Sequence, residues 1–144
     1  MKGVFVLILM SAVLAGCGPS DKRPALDDER TAYKKGLTAL TVYEQEASCS
    51  SPNLEAAVMS VSRLQHLLRL YDHREDEARL TPTIRYHQVL SMKIAAVALT
   101  KACFLPAEYF YRKIIAVYPG AAFAELRRQA NLGLQAVMDS RDAH

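Results

Sequence analysis

Residues 81–120 read TPTIRYHQVLSMKIAAVALTKACFLPAEYFYRKIIAVYPG, and this stretch predicts the two central helices of the domain. Thr81 followed by Pro82 predicts a helix start, because a threonine side chain can cap a helix and proline fits its first turn. We expect this helix to run to about Cys103. It is apolar on most sides over residues 89–99, and a helix of that kind lies in the middle of a domain.

A second helix within this stretch is predicted to start at Pro106 and to stop at Pro119 and Gly120. Arg112 and Lys113 fall on its outward side. Its inward side carries apolar and aromatic residues at helical spacing, namely Ala107, Phe110, Tyr111, Ile114 and Tyr118.

Three further helices are predicted outside this stretch, since the chain lacks the sustained alternation of apolar and polar residues that indicates strands. The first spans about 27–47, and the second begins at Pro52 behind a cap at Ser51. Charged residues 72–79 are predicted to form the next connection, and the last helix spans about 121–139. The predicted fold class is therefore all-α, with about five helices that are antiparallel to their neighbours because the connections are short.

The two central helices share a regular spacing of residues. The positions are Ala95, then Ala107 twelve residues later, and then Tyr111, Ile114 and Pro119 after four, three and five residues. Residues 88–121 thereby resemble a tetratricopeptide repeat, a pair of antiparallel helices with a period of about 34 residues. Ser91 and Ala98 depart from the pattern, because the family often has tryptophan and tyrosine at these two positions.

An earlier pair of helices resembles the pattern less closely, because its loop at Cys49 is longer than the repeat allows. The matching residues are Ala32, Gly36, Ala39, Ala57, Val61 and Leu64. An unrelated bundle of four or five helices remains open beside the repeat. The resemblance implies a concave surface, built by the first helix of each pair, that holds a peptide or a partner's helix. In this chain Val89, Met92, Ala96 and Leu99 would line it, and the alternative is that they are simply core residues.

Residues 1–17 have the layout of a secretory signal. Lys2 supplies a positive end, and the apolar run at 4–13 is too short for a bilayer span, which needs ~20 residues. The run is followed by Leu14, Ala15, Gly16 and Cys17. This order resembles the lipobox of bacterial prolipoproteins, which implies cleavage before Cys17 and both a diacylglyceryl thioether and an N-acyl chain on that residue. Gly18 stands where an aspartate would retain the protein in the inner membrane. We therefore expect the protein to be anchored in the outer membrane, on its periplasmic face.

Cleavage would divide the chain into a signal peptide at 1–16, a lipidated tether at 17–26 and one helical domain at 27–144. The tether is polar and contains prolines, which is typical of a flexible linker. The chain carries 18 basic and 15 acidic residues, so that loss of Lys2 leaves a net charge of +2. A charge this small argues against nucleic acid as a partner and against an electrostatic membrane patch.

Lipidation of Cys17 would leave two thiols, Cys49 and Cys103, in an oxidising compartment. We predict that they form a disulfide, with two free buried thiols as the alternative and a metal pair as a weaker one. The first and third predicted helices run in the same direction and therefore end at the same pole of the domain. Since Cys49 and Cys103 follow those two ends, the predicted topology and the predicted disulfide agree.

The sequence carries no catalytic motif, because phosphate loops, paired-histidine zinc helices and nucleophile elbows are all missing. His66, His73 and His87 are interpreted as structural or surface residues, and the acidic residues within 72–77 as a solvated loop. We therefore expect no enzymatic activity, no metal and no cofactor apart from the lipid on Cys17.

These features together predict a lipid-anchored adaptor of the pilotin kind. Such a protein would bind another envelope protein and help to assemble, localise or stabilise a secretion channel, a pilus or an outer-membrane complex. The alternatives are a periplasmic carrier of a small ligand and an exclusion lipoprotein that acts through surface contacts.

Overall fold

The computed structural model describes residues 24–72 and 76–144, which form five α-helices and one short 3₁₀ turn. The helices are α1 (Asp28–Gln45), α2 (Pro52–Leu70), α3 (Glu77–Thr100), α4 (Phe104–Val117) and α5 (Ala124–Asp142), and the 3₁₀ turn at Ala121–Phe123 leads into α5. The described residues contain no strand, so the predicted all-α class with about five helices is confirmed. Cys17 and the leader lie outside the described residues.

The start of α2 follows the predicted capping chemistry. Ser51 has extended backbone angles, and its side chain accepts hydrogen bonds from the backbone N–H groups of Asn53 and Leu54. Pro52 occupies the first helical turn, where a missing N–H leaves no helical hydrogen bond unmade. Local sequence alone therefore determines where this helix begins.

The predicted start of α3 at Thr81 is wrong, because the helix begins four residues earlier and contains Pro82. Two contacts hold the additional turn. The Thr83 hydroxyl donates to the carbonyl oxygen of Arg79 at 2.6 Å, and the Arg79 guanidinium is bound by Glu29 of α1 at 3.0 Å. The residues predicted as a charged connection are thus partly helical, since a partner on another helix binds one of their charges. Helix α4 likewise begins two residues before the predicted Pro106.

The helices pack in an open stack that follows chain order. Helix α1 packs on α2, α3 contacts α1, α2, α4 and α5, and α4 packs on α5. Within residues 24–72 and 76–144, the backbones of α1 and α2 do not come close to those of α4 and α5. Helix α3 is therefore the central element, as its apolar sequence predicts. Its exposed residues Arg85, Lys93, Ala96 and Thr100 fall on one side of the helix, which is left without a covering helix.

The two ends of the stack differ in the helix ends that meet there. At the α1-start end, the beginnings of α1 and α3 meet the end of α2, as the bond from the Tyr71 hydroxyl to Glu29 shows. At the disulfide end, Cys49 and Cys103 lie with their Cα atoms 5.4 Å apart, at disulfide distance and at the ends of α1 and α3 where the predicted topology placed them. Lys101 also lies there, with its ammonium group donating to the carbonyl oxygens of Tyr43 and Glu46.

Candidate partner-binding face

The four residues predicted to line a groove share one side of α3. At ~100° per residue, they lie roughly opposite the fully buried Ile94. Ala96 is exposed, whereas Val89, Met92 and Leu99 are half-buried, and the last two also contact the core. We call Val89, Met92, Ala96 and Leu99 the inner face. This strip has apolar atoms at its surface and no covering helix among the described residues.

An aromatic pair lies between the first and third helices beside the inner face. The rings of Tyr33 in α1 and Tyr86 in α3 are stacked, with centroids 4.5 Å apart and planes 20° apart. Both side chains are half-buried, and Tyr86 lies one helical turn before Val89. Aromatic and aliphatic groups with a partly exposed edge suit contact with another apolar helix or strand.

A second apolar surface, not predicted from the sequence, lies between α2 and the start of α4. It is a shallow pocket of ≈ 630 Å³ lined by Val58, Leu105, Pro106, Glu108, Tyr109, Phe110 and Arg112. Leu105 is 80% exposed and Tyr109 55% exposed, which makes them the most accessible apolar groups of this surface. At its edge, the Glu108 carboxylate pairs with Arg112 and Arg141, each at 2.9 Å. Sequence periodicity places Tyr109 on the outside of α4 but does not show that α2 and α4 leave a gap.

A neutral polar pair is buried between α3 and α4. His87 Nδ1 lies 2.7 Å from the Tyr118 hydroxyl, and both side chains are almost wholly buried. Burial, together with the charge of Lys113, lowers the pKa of His87 to about 4, and burial raises the pKa of Tyr118. Among residues 24–72 and 76–144, His87 Nε2 and Ser91 Oγ have no hydrogen-bond partner. The pair is a polar part of the core, and nothing in it activates a nucleophile.

A charged network closes the α1-start end. The Arg79 guanidinium donates to the Glu29 carboxylate and lies 4.4 Å from the centre of the Tyr71 ring. Burial acts to raise the pKa of Glu29, but hydrogen bonds from Arg79 and Tyr71 outweigh it, and the pKa lies below its usual value. The sequence predicted a solvated connection here. Glu29 and Arg79 are 50 residues apart, and no local pattern shows that they pair.

The described residues offer little for catalysis or membrane crossing. Across residues 24–72 and 76–144, no three side chains of His, Cys, Asp or Glu are grouped so that they could hold a metal ion. No helix in the same ranges has the length and apolar character needed to cross a membrane. His66 is exposed, and His73 lies outside the described residues.

Comparisons with protein families, with curated proteins and with solved structures found no match to this chain. The features of this chain that bear on its function are therefore the leader motif and the surfaces described above. Of these surfaces, the inner face is the one that lies on the central helix and has no covering element in the described part of the chain.

Proposed function

We propose that this chain is a lipid-anchored adaptor that faces the periplasm and binds another envelope protein through its inner face. The observation that carries the proposal is the open packing order. Because α3 is the central helix of the stack yet keeps Val89, Met92, Ala96 and Leu99 partly accessible, an occupant would bury apolar surface that the described chain leaves in water.

The burial of the repeat positions supports this proposal. Every residue of α3 and α4 at a tetratricopeptide-like position is buried, and these residues are Ser91, Ala95, Ala98, Ala107, Tyr111 and Ile114. The positions of α1 and α2 that resemble the repeat less closely are buried too, since Gly36, Ala57, Val61 and Leu64 are all buried. Contacts that link each helix to the next one or two in the chain are typical of repeat stacks, whose first helices form the binding surface.

In this mechanism the lipid anchors the domain and the inner face binds the partner. Acyl chains on Cys17 would keep the domain at the outer membrane, because more than one chain makes anchoring stable. The inner face would then hold a helix or strand of a component of a secretion channel, a pilus or an outer-membrane complex, and so localise or stabilise it. No step requires a metal or a catalytic side chain.

Photo-crosslinking in cells tests the binding face. Ala96 is the most accessible residue of the inner face, so a benzophenone amino acid placed there disturbs the core least. The control carries the same group at Asn131, which is exposed on α5. We expect one envelope protein to be captured from position 96 and not from position 131. Equal capture at both positions, or crosslinks only within the chain, would contradict the proposed face.

A charge on the inner face provides an independent measurement. Ala96→Glu places a carboxylate in the middle of the inner face. Lys93→Glu places the same carboxylate at another exposed position of α3, about 60° around the helix axis from Ala96. We expect capture to be lost in the first variant and kept in the second, with equal unfolding midpoints for both. The anchor is tested by Cys17→Ser, which should release the protein from the membrane fraction or stop its processing.

A further inference from the structure

Arg79 fastens the root of the tether to the folded domain. Its guanidinium donates hydrogen bonds to the backbone carbonyl oxygens of Pro24, at 3.1 Å, and of Ala25, at 2.7 Å. The same side chain is only 18% exposed and is held by the Glu29 carboxylate, which is 9% exposed. The chain is therefore bound to the domain from Pro24 onward, and only residues 17–23 separate this clamp from the proposed lipid site at Cys17.

The connection from Cys17 to Pro24 is short compared with the domain. Cys17 and Pro24 are seven residues apart, so the connection reaches about 25 Å at ~3.5 Å per residue. From Arg79 to Thr100, helix α3 runs 21 residues away from the clamp, which is about 32 Å at 1.5 Å per residue. Since 32 Å exceeds 25 Å, the stack cannot stand with its disulfide end on the membrane while Cys17 is anchored.

The α1-start end presents apolar side chains to solvent. Leu26 is 85% exposed in the turn that leads into α1, and Leu70 is 37% exposed at the last position of α2. The hydrogen bond between Tyr71 and Glu29 brings these two segments together. The carboxylates of Asp27 and Asp72 lie beside the leucines in the sequence, so attraction to anionic lipid does not explain the surface.

We infer that the α1-start end rests on the lipid bilayer, with Leu26 and Leu70 at the contact and Arg79 as the residue that sets this orientation. The inference depends on the lipid anchor of the proposed function. Seven residues of tether keep the leucines near the acyl chains, where burial of each side chain is favourable. The inner face on α3 then stands roughly along the membrane normal and stays accessible to a partner in the periplasm.

Lipid photo-crosslinking with the full, lipidated chain tests the orientation. A benzophenone amino acid is placed separately at Leu26, at Leu70 and at Leu105, and the membranes carry alkyne-labelled acyl chains. Leu105 is the matched control, because it is also a leucine, is 80% exposed and lies beside Cys103 at the disulfide end. We expect severalfold more lipid label at positions 26 and 70 than at position 105.

The outcomes separate the orientation from the anchor. Equal labelling at all three positions in membrane-bound protein means that the domain lies on its side, which overturns the inference and leaves the anchor intact. Capture of protein instead of lipid at positions 26 and 70 overturns it as well. Protein that is absent from the membrane fraction contradicts the anchor and removes the inference with it.

Two variants test whether the tether and its clamp cause the preference. Ten Gly and Ser residues inserted before Pro24 leave the domain and the clamp intact but more than double the reach. We expect the preference for position 26 over position 105 to fall, and an unchanged preference would show that the tether does not set the orientation. Arg79→Gln removes the side-chain hydrogen bonds to the Pro24 and Ala25 carbonyls and leaves only the Asp28 N–H on Ala25. It should lower the preference in the same way, provided that its circular dichroism is unchanged.

Discussion

The ring of Tyr111 in α4 occupies the space in which a side chain at Gly133 of α5 would lie. A Cβ atom built on Gly133 would meet three ring carbons of Tyr111, each closer than real Cβ contacts allow. Tyr111 is 5% exposed, so its ring has little room to move. The absence of a side chain at Gly133 thus lets α5 approach α4 closely enough to cover the tyrosine.

Gly133→Ala is expected to destabilise the domain. Overpacking of a filled core costs about 1–3 kcal/mol, which exceeds the ~1 kcal/mol that alanine gains over glycine in a helix. The measurement is the free energy of unfolding in urea. Gly120→Ala is the control, because a Cβ there would meet only Phe123 at an ordinary 3.6 Å and the residue has a negative φ. A stabilised Gly133→Ala variant would contradict the close contact, and Tyr111→Leu in the same chain should recover most of the loss.

Lys101→Met should weaken the disulfide end. The Lys101 ammonium donates to the Tyr43 carbonyl at 2.6 Å and also to that of Glu46, and it lies 4.0 Å from the centre of the Tyr43 ring. It therefore adds a second donor to the Tyr43 carbonyl, which also accepts the Glu46 N–H, and places a positive charge at the C-terminal end of α1. We expect a loss of about 1–2 kcal/mol in the free energy of unfolding. Lys101→Arg should retain most of it, and equal losses in both variants would argue against hydrogen bonding as the cause.

Acid should destabilise the domain through His87. The pKa of this residue is about 4 in the folded chain and near 6.5 when the chain is unfolded, so the unfolded state binds the proton first. Stability is unaffected above about pH 6.5 and falls between about pH 6.5 and pH 4, by roughly 3 kcal/mol in all. Urea unfolding across this range should show the slope in the native chain and lose it in His87→Gln. Parallel curves for the two proteins would show that His87 does not titrate on unfolding.

The disulfide should contribute a large part of the stability. Cys49 and Cys103 are 54 residues apart, and closing a loop of that length corresponds to about 4 kcal/mol in the chain-entropy description. The double variant Cys49→Ser, Cys103→Ala removes the bond without placing a hydroxyl group at the buried position. We expect it to unfold at much lower urea, and reduction of the native chain should have the same effect. Mass spectrometry after alkylation without reduction provides the direct check, and two labelled thiols would exclude the bond.

Much of the architecture follows from local patterns. The cap at Ser51, the apolar run of α3 and the stops after α4 each depend on residues within one or two helical turns, so they can be read along the chain. The proximity of Cys49 and Cys103 could also be predicted, because helix directions alternate when connections are short and both residues follow helices that end at the same pole. The four positions of the inner face came from the resemblance to a tetratricopeptide repeat, and their role in binding stays a prediction.

Long-range contacts decided the rest. The sequence alone determined an all-α chain with a central third helix, because capping and periodicity are local. Only the tertiary structure shows that α3 begins at Glu77, that Gly133 makes room for Tyr111 and that Arg79 holds Pro24. Each of these depends on groups from separate helices meeting in space, where burial and hydrogen bonding outweigh what the neighbouring residues prefer.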